Sequence, residues 1–223
     1  VAVTLSFTAT TLSPLQKENV RKEKMQNILS TIGIQTDRDS AEELFNKHIT
    51  KQLALNQNGE EKDGVIAFDV DLAKELSKPE SEQTFPMYIA NYDGSEHYIA
   101  PLRGNGLWDA IWGYIALKND ANTVKGVVFD HKGETAGLGA EITTDWFQER
   151  FVNEKIYNDS GQVVGVEVKK GYSGGDNKSD NAVDAISGAT ITGDGVSKMM
   201  EERLKNYKAY FEKIKKSGKV AIR

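Results

Sequence analysis

Five short β-rich runs, each bounded by turn residues, are followed in this chain by one long helical stripe. Met87–Asn91 and His97–Pro101 flank Asp93-Gly94, and Ile111–Leu117, Val124–Phe129 and Val163–Lys169 come after them. An Asp-Gly pair between two apolar runs supplies the positive-φ residues of a tight hairpin, and β-branched and aromatic side chains suit a pleated, half-buried surface. Val196, Met199, Met200, Leu204, Tyr207, Phe211 and Ile214 then recur at three- and four-residue intervals. A helix with that apolar face must cover a sheet or another helix. The pattern predicts an α+β fold: a twisted, largely antiparallel sheet packed with helices, including a long C-terminal amphipathic helix.

The rest of the chain elaborates on this core. Ser13-Pro14 has the form of an N-cap and first helical residue, opening a helix that ends near Ile32, before Gly33. Ser40-Ala41-Glu42-Glu43 has capping-box form, and Leu44, Phe45, Ile49 and Leu53 give a second helix its apolar stripe. Val65–Val70 reads as a strand, and Lys74–Gln83 as a helix end and surface connection. Thr144–Phe151 reads as a short helix with Trp146, Phe147 and Phe151 buried.

Composition removes whole classes of chemistry. With no cysteine in 223 residues, disulfides, thiol catalysis, iron–sulfur ligation and cysteine-type zinc are excluded, so any redox chemistry must come from a bound organic cofactor. His48, His97 and His131 stand in unrelated contexts without metal-ligand spacing, and no metal site is expected. A net charge of -5 with lysines interspersed among acids argues against nucleic acid as a partner.

Chemistry concentrates in three glycine-punctuated segments. Asp184-Ala185-Ile186-Ser187-Gly188-Ala189-Thr190-Ile191-Thr192-Gly193-Asp194-Gly195 feeds the last helix. It sets several hydroxyls and backbone N–H groups at a helix start, where an anion is readily held. The plainer alternative is a glycine-rich turn in which Asp194 caps the helix. Gly133-Glu134-Thr135-Ala136-Gly137-Leu138-Gly139-Ala140 is either a strand-to-helix connector or a backbone wall for a flat ring. Gly104-Asn105-Gly106-Leu107-Trp108 is either a turn with a core tryptophan or a third candidate for ligand contact.

In combination these segments resemble a known family. Gly104–Trp108, Gly113-Tyr114-Ile115-Ala116-Leu117, Glu134–Gly139 and Ser187-Gly188-Ala189-Thr190 are similar, in that order, to the C subunit of the sodium-translocating NADH:quinone reductase. The likeness runs over most of the chain, and its Ser187–Thr190 core with upstream Asp184 resembles a flavinylation motif. Two positions depart from the pattern: Ala136 stands where proline is common and Ala185 where glycine often follows the aspartate.

The resemblance implies FMN attached through its phosphate to the Thr190 hydroxyl by a separate flavin transferase that uses FAD as donor. It implies Asp184, Ser187, Gly188, Ala189 and Thr192 near the phosphate and ribityl chain, and Glu134, Thr135, Gly137, Leu138 and Gly139 along the flavin ring. Trp108 and Trp146 are further candidates for ring packing. The implied role is electron relay between redox centres of a membrane complex that couples NADH oxidation and quinone reduction to sodium transport. The expected partners are the other subunits of that complex, the transferase, and the bacterial inner membrane through an N-terminal helix.

Residues 1–12 are read as the outer end of a truncated transmembrane anchor or as an apolar helical turn, and residues 13–223 as a single periplasmic FMN-binding domain. The G subunit of the related Rnf complex and a noncovalent binder of a phosphate-bearing ligand are the alternatives.

Overall fold

Asp93 and Gly94 both take positive φ, 51° and 70°, which gives the hairpin turn the twist that antiparallel strands require. The computed structural model describes the chain from residue 2 to residue 217, with side chains from residue 13 onward. Its elements in chain order are α1 (Ala2–Ser30), α2 (Ala41–His48), β1 (Ile49–Leu55), α3 (Leu72–Glu75), β2 (Phe85–Tyr92) and β3 (Ser95–Asn105). They continue with β4 (Ala110–Leu117), β5 (Val124–His131), α4 (Asp145–Gln148), β6 (Glu167–Lys169), β7 (Ala182–Asp184), α5 (Thr190–Lys205) and α6 (Lys208–Lys216). β1 to β5 form one antiparallel sheet in sequence order, and β6 and β7 form a separate parallel pair.

Helices cover both faces of the sheet. On one face Phe85, Met87, Ile89, Leu102, Ile111 and Ile115 pack with Val196, Met199, Met200, Leu204, Tyr207 and Phe211 from the two C-terminal helices. On the other, Tyr88, Ala90, Ile99 and Ala116 pack with Met25, Ile28 and Leu29 of α1 and Phe45 of α2. This is why β2 is buried on alternating and intervening positions alike. Full burial of each large apolar side chain stabilises by roughly 1.5–3 kcal/mol, so the C-terminal stripe is a principal fastening of the domain.

Several expectations are corrected. The second helix stops at His48, and Ile49–Leu55 pairs with β2 as an edge strand. A spacing of four satisfies helical and strand periods alike, and the available partner strand decides. Ser40 makes no side-chain cap: its backbone is already helical, at φ -89° and ψ -10°, rather than in the extended region a capping residue takes, and its own N–H donates to Asp37 Oδ1 at 2.8 Å.

Val65–Val70 has no partner strand: Val65 and Ile66 are exposed, and a 3₁₀ turn at Ala67–Asp69 turns Phe68 edge-on to Phe45 and Tyr88. Of Val163–Lys169 only β6 forms a strand, while Val163 makes an isolated antiparallel bridge to Tyr157. β6 leaves the main sheet for β7, and its Val168 N–H donates to Ser197 Oγ of α5 at 2.8 Å.

The C-terminal stripe is one buried face on two helices. Bonds from Asn206 N–H to Arg203 O and from Tyr207 N–H to Leu204 O tighten the chain between α5 and α6, and the Tyr207 hydroxyl donates to Pro86 O at 2.9 Å. Phe147 and Phe151 are buried as expected, whereas Trp146 is 44% exposed, with the Arg150 guanidinium over its ring at 4.6 Å.

Pro14 lies inside α1 rather than at its start, where its missing N–H forgoes one intrahelical bond. The side chains of residues 1–12, the expected anchor, lie outside the described residues. Among the described residues no helix is long and apolar enough to cross a membrane.

Candidate functional site

β7 delivers the chain to a tight turn. Ala189 N–H donates to Ile186 O at 3.1 Å, and Gly188 takes φ 79°, the pattern of a type II turn with glycine at its third position. A side chain on Gly188 would also press on Leu138, so glycine is needed there twice over.

The helix begins earlier than the capping alternative requires. Thr190 is the first residue of α5, the N-cap is Ala189, and no side chain caps the end. Asp194 lies in the second turn, so it is not the cap. Gly193 N–H reaches Ala189 O, while the N–H groups of Thr190, Ile191 and Thr192 precede the first intrahelical bond. No acid occupies that first turn. An uncapped, acid-free helix start is suited to a phosphate.

In front of it lies a cleft of about 210 Å³, lined by Leu107, Glu134, Thr135, Leu138, Gly139, Gly188, Ala189, Thr190, Ile191 and Thr192. The three glycine-rich segments therefore meet in space. Glu134 joins them: its Oε2 accepts from Thr192 Oγ1 at 2.6 Å, and its Oε1 accepts from Trp108 N–H at 3.0 Å. Its own N–H donates to His131 Nδ1 at 3.1 Å. Burial pushes the Glu134 carboxyl up, but hydrogen bonds from Thr192 and from the backbone of Trp108, Leu107 and Asp109 outweigh it and hold it below the usual range. It is a buried, ionised brace.

Close approach of backbone makes the meeting possible. A Cβ on Gly195 would overlap the Asn105 carbonyl oxygen, so only glycine lets the start of α5 sit against the end of β3. Trp108 stays exposed and donates from Nε1 to Thr135 Oγ1 at 3.2 Å.

Of the residues singled out from sequence, Glu134, Thr135, Leu138, Gly139, Gly188, Ala189, Thr190 and Thr192 line the cleft. Asp184, Ser187, Gly137, Trp108 and Trp146 stand outside its lining. Gly137 N–H is held by Glu141 Oε1 at 3.0 Å. Asp184 O accepts from Arg150 Nη1 at 2.7 Å, which ties the strand before the turn to the helix carrying Trp146.

Leu107 and Ile191 line the cleft without having been singled out. Ile191 carried a signal: it lies off the buried phase of the helix, and an apolar side chain on a solvent-facing phase asks for a ligand or partner. Leu107, Trp108, Leu138, Trp146 and Ile191 are more than half of the large apolar side chains exposed among the described residues.

The FMN-binding domain model matches residues 106–205, which contain the cleft. The C subunit of the Na(+)-translocating NADH-quinone reductase of Haemophilus ducreyi is 31% identical over 204 residues, covering 84% of this chain and 78% of that protein. The chain belongs to this C-subunit family. The Vibrio anguillarum homologue is 32% identical, with 87% of this chain and 81% of that protein covered.

Among solved structures, the corresponding C subunit from Parabacteroides distasonis superposes with a TM-score of 0.81 at 39% identity, covering 90% of this chain and 96% of that one. NqrC from Shewanella oneidensis gives 0.74 at 27%, covering 88% and 98%. The α+β fold and the FMN-binding domain are those of a subunit of an oxidoreductase complex.

Proposed function

We propose that this chain is an electron-relay subunit of a sodium-pumping NADH:quinone reductase, with FMN joined through its phosphate to Thr190. The observation that carries the reading is the placement of an exposed threonine hydroxyl as the first residue of an uncapped helix at the mouth of an apolar cleft.

The residues fit such a group. The N–H groups of Thr190, Ile191 and Thr192 face an anion without competition from a capping side chain, and the helix dipole favours negative charge there. Leu107, Leu138 and Ile191 supply apolar walls, while Thr135 offers a polar edge. A bound flavin supplies the redox chemistry that the side chains of a cysteine-free chain lack.

An unactivated threonine is a poor nucleophile, so attachment is assigned to a separate flavin transferase. The Thr190 oxygen bonds to the flavin-side phosphorus of FAD, the bond from that phosphorus to AMP breaks, and a base of the transferase takes the hydroxyl proton. Asp184, held by Arg150 just before the turn, orders the segment the transferase reads.

The exposed apolar side chains around the cleft give a redox partner a face to dock on. The domain is assigned to the periplasmic side of the bacterial inner membrane, tethered by an N-terminal helix and in contact with the other subunits. Production with a flavin transferase is expected to give a yellow protein whose flavin survives denaturation. Flavin released by denaturant would instead support the noncovalent reading.

A further inference from the structure

Among the described residues the Glu134 carboxylate is held by dipoles alone. Thr192 Oγ1 and the backbone of Trp108, Leu107 and Asp109 hold it, and none of these groups carries a positive charge. Gly106 and Gly139 press in so closely that a Cβ on either would meet a carboxylate oxygen at 2.5 Å. Only 7% of the residue is exposed, and it lines the cleft. The cleft wall therefore bears a carboxylate charge that no cationic side chain among the described residues pairs with, and with so little of the residue open to solvent its field is only weakly damped.

We propose that Glu134 sets the reduction potential of the flavin seated in this cleft, holding it low through its carboxylate charge. The inference rests on the flavin reading above. Each reduction step brings one electron from a reduced redox partner, and with it one more negative charge in the cleft unless a proton arrives too. A fixed carboxylate opposes that added charge, whereas a neutral amide does not. The brace that joins the three loops thus also decides how readily the site accepts electrons.

Glu134→Gln preserves the shape: its carbonyl can accept from Trp108 N–H, and its amide can donate to Thr192 Oγ1. Thr192→Val and Glu134→Asp disturb the same contacts but keep the charge. The test is a potentiometric titration of the chain and these variants, each produced with its flavin transferase. Glu134→Gln is expected to shift the ratio of reduced to oxidised flavin at a fixed potential about tenfold toward reduced, ~59 mV for a one-electron couple.

Thr192→Val and Glu134→Asp are expected to stay at or below the wild-type potential. An unchanged Glu134→Gln, or a common upward shift of all three variants, overturns the inference and leaves flavin attachment standing. A wild-type chain without any flavin overturns both. Should Glu134→Gln fail to fold, an upward shift in either charge-retaining variant still overturns the proposal, and potentials at or below wild type support it.

Discussion

Thr192 and Glu134, 58 residues apart in sequence, meet through a hydrogen bond of 2.6 Å between Thr192 Oγ1 and Glu134 Oε2. Both residues are almost fully buried, so the contact fixes the start of α5 against the loop after β5. Removing a hydrogen bond to a charged group costs about 1.5–3 kcal/mol. Thr192→Val, which keeps the shape and deletes the hydroxyl, is expected to lower stability by about that much in urea unfolding. A loss within experimental error would mean that the loops hold together without the bond.

The same carboxylate gives a pH dependence with a defined sign. Folding lowers the Glu134 pKa from its ordinary 4.5, because its hydrogen bonds outweigh burial. A carboxyl lowered on folding contributes stability that is fully present above the ordinary value and is lost as pH falls through the folded one. Wild-type stability should therefore drop more steeply than that of Glu134→Gln as pH falls below 4.5, and the two curves should run parallel near neutrality. Parallel curves throughout the acid range would show that the carboxyl is not stabilised in its ionised form.

Gly195 packs its Cα against the Asn105 carbonyl, where a methyl group cannot fit. Alanine favours helix interiors over glycine by roughly 1 kcal/mol, so intrinsic propensity alone predicts that Gly195→Ala stabilises. The overlap with rigid backbone reverses the sign: overpacking of this kind costs about 1–3 kcal/mol. A lower thermal midpoint is expected, and a raised one would mean that helix and strand separate more freely than the packing implies.

Much of this was legible in the sequence, for reasons that differ by element. The hairpin at Asp93-Gly94 and the stripe from Val196 to Ile214 carry strong local signals, and both are present. The segment from Ile49 to Leu55 misled because its apolar spacing fits two periods, and a strand 30 or more residues later decides between them. The cleft was legible through its glycines and hydroxyls. The use of Glu134 as a brace was not, since no local pattern announces a partner at Thr192. Leu107 escaped because an apolar residue attracts notice as core and its exposure is settled only by the fold, whereas the phase of Ile191, off the buried stripe of α5, already marked it as exposed.

Ile191 is 56% exposed on the rim of the cleft. Ile191→Ser is expected to change stability by less than about 0.5 kcal/mol, as surface substitutions do. It should nevertheless alter flavin fluorescence in the loaded protein by admitting water to the ring's surroundings. A large loss of stability with unchanged fluorescence would assign Ile191 to the fold rather than to the cleft.

The placement of Thr190 at the first position of α5 is tested most directly by intact-mass measurement of denatured protein produced with and without a flavin transferase. The expected result is an added mass of one FMN less one water with the transferase, none without it, and none in Thr190→Ala. An unmodified wild-type chain after co-production, or an adduct that persists in Thr190→Ala, would contradict covalent attachment at this residue.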